Sequence, residues 1–117
     1  KGDDMHTVCH FDLPSTNLEK SKSFYEKLFG WKIDTFSDEY LICMLNETES
    51  GGFYKVDKIT PSLVSIYFQV EDIPATLEKA VSLGGKILNE KRSIGEHGYI
   101  ASFEDTCNCK IDIWSQN

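Results

Sequence analysis

The sequence predicts an α+β fold made of two consecutive βαβββ modules. Three observations carry that expectation: two helical patterns that each run into glycine, short alternating runs around them, and a register in which one half overlays the other. Placing Asn17 over Asp72 also places Leu28 over Leu83 and Gly30 over Gly85, a repeat of about fifty-five residues. Neither half could cover both faces of its own sheet. The two are therefore expected side by side as one curved mixed sheet, with helices outside and a cleft inside. The expected bounds are a single domain over 5–117, with module one at about 5–57 and module two at about 62–117. Residues 1–4 read as a tag remnant or a frayed end before Met5.

Thr7 to Leu13 alternates weakly and stops at Pro14, as a strand does. Thr16-Asn17-Leu18-Glu19 has the form of a capping box, with the Thr16 hydroxyl as cap. Leu18, Ser21, Tyr25 and Leu28, with Phe24 beside them, make one helical stripe, and Gly30 supplies the left-handed stop. Strands are expected at 31–36, 40–45 and 51–56, the last two turned by Asn46-Glu47-Thr48-Glu49-Ser50. The pattern then repeats. Residues 63–70 are rich in β-branched and aromatic side chains. Asp72 caps a helix carrying Ile73, Leu77, Ala80 and Val81, with Pro74 in its first turn, and Gly84-Gly85 end it. Three further strands fit 86–92, 98–104 and 109–115.

In 117 residues, nineteen acidic side chains against twelve basic ones give a formal charge of −7. That balance argues against a nucleic-acid partner and against an anionic membrane surface. Apolar residues at 40% and aromatics at 12% suffice for a core. The longest apolar run is far short of a membrane span, and no signal-peptide pattern precedes the first strand, so a soluble cytoplasmic protein is expected. The four cysteines, Cys9, Cys43, Cys107 and Cys109, are too sparse for a disulfide scaffold. Cys107 and Cys109 lack the second ligand pair of a zinc knuckle, so reduced, inert thiols are expected.

Several segments together resemble the vicinal oxygen chelate superfamily, which includes glyoxalase I, bleomycin-resistance proteins and extradiol dioxygenases. They are His10-Phe11-Asp12-Leu13 before Asn17-Leu18-Glu19, then Phe24-Tyr25-Glu26-Lys27-Leu28-Phe29-Gly30-Trp31, and Phe68-Gln69-Val70-Glu71-Asp72-Ile73. Gly84-Gly85-Lys86, Gly98-Tyr99-Ile100-Ala101 and Asp105-Thr106-Cys107-Asn108-Cys109-Lys110-Ile111-Asp112 continue the likeness to the end. The resemblance implies a glyoxalase/bleomycin-resistance-like fold. It leaves the reaction open, because the family spans isomerases, dioxygenases, epimerases and drug binders. The family's Asp-Pro-x-Gly-Asn hairpin is replaced here by Asp105-Thr106-Cys107-Asn108-Cys109. Asn108 takes the glycine position, where asparagine best tolerates a left-handed backbone.

Family metalloenzymes draw His, Glu or Gln ligands from the first, fourth, fifth and eighth strands. By that resemblance His10 holds the first position and Asp112 the last, shortened from the usual Glu. Ser65 stands at the fifth-strand position, and Gly51-Gly52-Phe53-Tyr54 supplies no fourth-strand donor. Two ligands are too few for a tight divalent site, so no tightly bound metal is expected. The leading functional expectation is a protein that binds a small, aromatic or cationic molecule in the cleft. The alternative is a lyase or isomerase related to lactoylglutathione lyase, taking zinc, nickel, manganese or iron with substrate oxygens completing the site. His6 and His97 read as surface histidines.

Without a metal, His10 and Asp112 on neighbouring strands give either an oriented imidazole that serves as a general base or a structural His–Asp pair. Strand alternation then expects Asp12, Ser65, Tyr67, Gln69, Tyr99, Ala101, Phe103, Lys110 and Trp114 on the cleft face. Phe53, one face of Tyr40–Met44 and Trp31 are expected to join them. Phe11, Phe24, Phe29 and Phe68 are expected in the core. A homodimer is expected, because a half-open sheet leaves unpaired edges.

Overall fold

Backbone pairing in the computed structural model, which describes residues 5–60, 64–106 and 108–117, gives two helices and eight strands. The chain divides into two compact units, one of residues His10–Ser65 and the other of the residues up to Cys9 with Ile66–Asn117. Each has the βαβββ order. In the first, β1 (Val8–Ser15), α1 (Leu18–Phe29), β2 (Ile33–Ser37), β3 (Tyr40–Met44) and β4 (Ser50–Lys55) follow one another, and the strands lie in the order β2-β3-β4-β1. β1 and β4 run parallel, and the other pairs are antiparallel. In the second, β5 (Ser65–Gln69), α2 (Ile73–Ser82), β6 (Lys86–Ser93), β7 (Tyr99–Glu104) and β8 (Lys110–Ser115) give the order β5-β8-β7-β6, with β5 and β8 parallel. Within the second unit, Gln69 accepts from the His6 N–H at 2.6 Å and donates to the Thr7 carbonyl at 2.9 Å.

The helix ends follow local chemistry. Asn17, rather than Thr16, caps α1, its side chain accepting from the Lys20 N–H at 3.1 Å. β1 runs on through Pro14 to Ser15, so the last extended residue before the helix is Asn17. Gly30, at φ 72°, closes the helix by donating to the Glu26 carbonyl. Asp72 caps α2 through the Ala75 N–H at 2.9 Å, with proline in the first turn.

Each helix covers one face of its own strands. Ile33, Leu41, Cys43 and Phe53 form one buried cluster, with Leu13, Leu18, Tyr25, Trp31 and Leu45 against it. Val70, Ile73, Leu77, Ala101 and Ile113 form the other, with Phe68, Ile87, Tyr99, Phe103 and Ile111 packed around them. α1 is only lightly embedded. Leu18 and Tyr25 reach the core, whereas Phe24, Leu28 and Phe29 are each 57% exposed. Phe24 and Leu28 lie off the Leu18–Tyr25 line, and Phe29 is the last helical residue, which corrects the expectation of a core role for Phe24 and Phe29.

Asn108 adopts φ 67° in the β7–β8 hairpin, the left-handed conformation expected of it. Asp105 holds the turn, accepting from the Asn108 N–H through its carbonyl and from the Cys109 N–H through its carboxylate. Cys9 and Cys43 are buried free thiols and Cys109 is an exposed one, while Cys107 lies outside the described residues. No described helix is long and apolar enough to cross a membrane.

Candidate functional site

Alternation along β1 puts His10 and Asp12 on the face away from α1, with Phe11 and Leu13 on the other. The parallel register with β4 sets His10 opposite Ser50 and Asp12 opposite Gly52. On β3, Leu41 and Cys43 are buried under α1, which leaves Tyr40 on the His10 face. These side chains meet. His10 Nδ1 lies 2.6 Å from Ser50 Oγ, and His10 Nε2 lies 2.9 Å from Asp12 Oδ1 and 3.0 Å from the Tyr40 hydroxyl. The Tyr40 hydroxyl donates to Asp12 Oδ1 at 2.6 Å. The His10 and Asp12 side chains keep 20% and 18% of their surface exposed.

Gly52 makes this arrangement possible. A Cβ there would overlap the Tyr40 hydroxyl and stand 2.7 Å from Asp12 Oδ1, so the tyrosine fills the space that a side chain on β4 would occupy. On the same face, burial first and the Asp12 charge second raise the pKa of Tyr54 above the ordinary phenol value.

The second unit presents a comparable row. Tyr67 is opposite Asp112, which is opposite Ser102, and Gln69 is opposite Trp114. Asp112 is buried and meets Lys110 Nζ at 3.0 Å. Asn89 Nδ2 donates to Ser102 Oγ at 2.6 Å. The Trp114 indole donates to the His97 carbonyl at 2.7 Å. Ser65 opens β5 as a half-buried residue, and His6 and His97 are exposed.

Five expected cleft residues lie elsewhere. Phe53 is 1% exposed inside the core under α1, and Trp31 stacks on Tyr25 in the same cluster. Tyr99, Ala101 and Phe103 point to the α2 core, which shifts β7 by one residue against expectation. The cause is register: Ser102 pairs with Asp112, so Ala101 falls opposite Ile113 on the buried face. The sequence pattern does not single out Ser50, Tyr54 or Ser102, and it gives Tyr40 only as part of one face of its strand. The alternation of Leu41 and Cys43 into the core, and the polar pair Ser102 and Glu104, were the signals that could have found them.

Of the ligand positions implied by resemblance, those of Ser65 and Gly52 carry neither an imidazole nor a carboxylate. Both His10 ring nitrogens are engaged by Ser50, Asp12 and Tyr40, and the Tyr40 hydroxyl occupies the side-chain place of Gly52 on the fourth strand. Among the described residues no group of three or more His, Cys, Asp or Glu gathers as a metal site. Two shallow concavities, of about 310 and 390 Å³, lie elsewhere; the larger is beside the start of α1, and neither is lined by His10 or Asp112.

A sequence model of the Glyoxalase/Bleomycin resistance protein/Dioxygenase superfamily matches residues 7–113. A "Glyoxylase-like domain-containing protein" of Didymella fabae is 30% identical over 99 residues, covering 77% of each chain. A relative from Mycobacterium bovis is 25% identical over 115 residues; these make up 91% of this chain but only 44% of that protein. Among solved structures, methylmalonyl-CoA epimerase from Mycobacterium tuberculosis has a TM-score of 0.73 at 11% identity, covering 97% of this chain and 90% of that one. A superfamily member from Vibrio splendidus has a TM-score of 0.64 at 14% identity, covering 93% and 99%. At such identities these structures share the fold alone.

Proposed function

We propose, from the premise that this chain belongs to the Glyoxalase/Bleomycin resistance protein/Dioxygenase superfamily, that it binds a small aromatic or cationic molecule on the His10 face without a tightly bound metal. The observation that carries this reading is the engagement of both His10 nitrogens by Ser50, Asp12 and Tyr40. A divalent ion on the imidazole would have to displace one of those partners, and Gly52 offers no donor beside it. Asp12 supplies a partly exposed carboxylate, Tyr40 and Tyr54 supply rings, and the −7 charge draws cations.

A thermal-shift series with planar cationic dyes tests the binding, and elemental analysis tests the metal. A rise in Tm that His10→Ala removes, at well under one metal per chain, is the expected result. Stoichiometric zinc, nickel, manganese or iron, lost together with activity on chelation, would replace this reading with a metal-dependent lyase or isomerase. The name of the Didymella relative favours that second reading. A lactoylglutathione-lyase assay with added nickel or zinc separates the two.

The proposal extends to a cytoplasmic homodimer. The exposed Phe24, Leu28 and Phe29 of α1 are the apolar surface it would cover, and light scattering reading twice the chain mass is the expected outcome.

A further inference from the structure

The His10 network has a directionality that ligand binding alone does not require. Tyr40 gives its hydroxyl hydrogen to Asp12, so that hydrogen is not available to His10 Nε2. Nε2 faces the Tyr40 oxygen and the Asp12 carboxylate, both acceptors here, and it must therefore carry a ring proton. In the neutral ring Nδ1 then holds a lone pair, and the group 2.6 Å from it is the Ser50 hydroxyl. A serine O–H aimed at an imidazole lone pair, with a carboxylate on the ring's far N–H, is the arrangement that activates serine as a nucleophile. It is assembled on paired strands, with His10 opposite Ser50, and Ser50, Asp12 and Tyr40 hold the ring. The 20% exposure of His10 and the half-buried position of Ser50 leave room for a small reagent to approach.

We propose that Ser50 is an activated nucleophile, with His10 as its general base and Asp12 and Tyr40 as positioning residues, and that it transfers acyl groups from small activated esters to water. Ser50 Oγ attacks the ester carbonyl carbon while its proton passes to His10 Nδ1. The tetrahedral adduct collapses, the bond to the leaving alkoxide breaks, and Nδ1 returns the proton to that oxygen. Water then attacks the Ser50 ester, again losing a proton to Nδ1, and releases the carboxylic acid as Ser50 recovers its hydrogen. No oxidant, metal or cofactor enters the balance. This activity goes beyond the binding function proposed above, and a failure here would leave the dye-induced Tm shift untouched.

The test is covalent labelling with an alkyl fluorophosphonate, in which the Ser50 O–P bond forms as fluoride leaves, alongside turnover of p-nitrophenyl acetate. The expected result is one adduct per chain, mapped by mass spectrometry to Ser50, with ester hydrolysis that Ser50→Ala removes. His10→Gln should slow labelling about 100-fold, the scale of a lost general base. Asp12→Asn and Tyr40→Phe should lower kcat at least about tenfold with KM within about twofold, the pattern of groups that act through the ring rather than on substrate. No adduct at Ser50 under excess reagent would overturn the proposal. Equal labelling rates in His10→Gln would do the same. Where His10→Gln does not fold, an unchanged rate in Asp12→Asn, which keeps the shape of the side chain, is equally decisive.

Discussion

Gly52→Ala is the smallest change that reaches the His10 network without touching any of its members. Gly52 lies between Asp12 on β1 and Ile42 on β3, and its φ is outside the left-handed region, so the backbone itself accepts alanine. The new Cβ would overlap the Tyr40 hydroxyl, and Tyr40 must swing away. That motion breaks its 2.6 Å bond to Asp12 and its 3.0 Å contact with His10. A hydrogen bond to a charged group contributes about 1.5–3 kcal/mol. Replacing a strand glycine with alanine returns about 0.5–1 kcal/mol of backbone entropy. The net loss is therefore about 0.5–2.5 kcal/mol, a fall in Tm of roughly 2–10 °C for a domain of this size.

A double-mutant cycle read by urea unfolding isolates the cause. In a Tyr40→Ala background no hydroxyl remains to displace and only the end of the Asp12 side chain, 2.7 Å from the new Cβ, must give way, so Gly52→Ala should cost clearly less there. The coupling between the two positions should be at least about 1 kcal/mol. Equal losses in the two backgrounds would refute the claim that Gly52 exists to admit the tyrosine.

Other outcomes follow from the same geometry. The pKa of Tyr54 is raised above the ordinary phenol value, so its contribution is full below about pH 10 and lost as pH rises through the folded-state value. Tyr54→Phe should flatten the alkaline decline in stability measured by urea unfolding across pH. Burial raises the Cys43 thiol, with a hydrogen bond from the Gly51 backbone opposing it more weakly, so iodoacetamide should modify Cys109 in the native protein and Cys43 only in denaturant. Phe53→Ala empties the centre of the α1 core and should lose about 3–5 kcal/mol by chemical denaturation. Asn108→Gly should leave Tm nearly unchanged, whereas Asn108→Val should lower it, because a β-branched residue resists the left-handed backbone.

The module pattern was legible because local chemistry writes it: Asp72 and Gly30 mark helix ends whatever packs nearby. Strand phase was harder to read. Tyr99-Ile100-Ala101-Ser102-Phe103-Glu104 has apolar residues on both faces, and only the pairing of Ser102 with Asp112 decides which face is buried. In β4 the two glycines carry no hydrophobic signal, so Phe53 and Tyr54 looked interchangeable until Leu41 and Cys43 fixed the core side. Ser50 also closes a polar run that reads as a turn, yet it begins the strand opposite His10. His10 and Asp12 could be chosen from the chain because they lie on one strand. Their closest partners come from strands some thirty to forty residues away, and no local pattern announces those contacts.

The two units show how one scaffold carries different chemistry. Reading across the parallel pair and the next strand, the first unit places Asp12, Gly52 and Ile42 in one row, and the second places Tyr67, Asp112 and Ser102 in the equivalent row. The neighbouring rows are Pro14, Tyr54 and Tyr40 against Gln69, Trp114 and Ile100. Behind both faces the helix-side cores remain apolar, with Leu41 and Phe53 in one and Ala101 and Ile113 in the other, so the site face can change without disturbing what holds each unit together. In the first unit the carboxylate stands on β1 and the middle position is empty of side chain, which admits a hydroxyl from the row beyond. In the second the carboxylate itself takes the middle position, is buried, and meets the Lys110 ammonium instead. Glycine at position 112 would remove that carboxylate while leaving isoleucine, not tyrosine, at the position matching Tyr40. The second face therefore cannot acquire the first face's network in a single step, because the network needs the gap and the hydroxyl that fills it together.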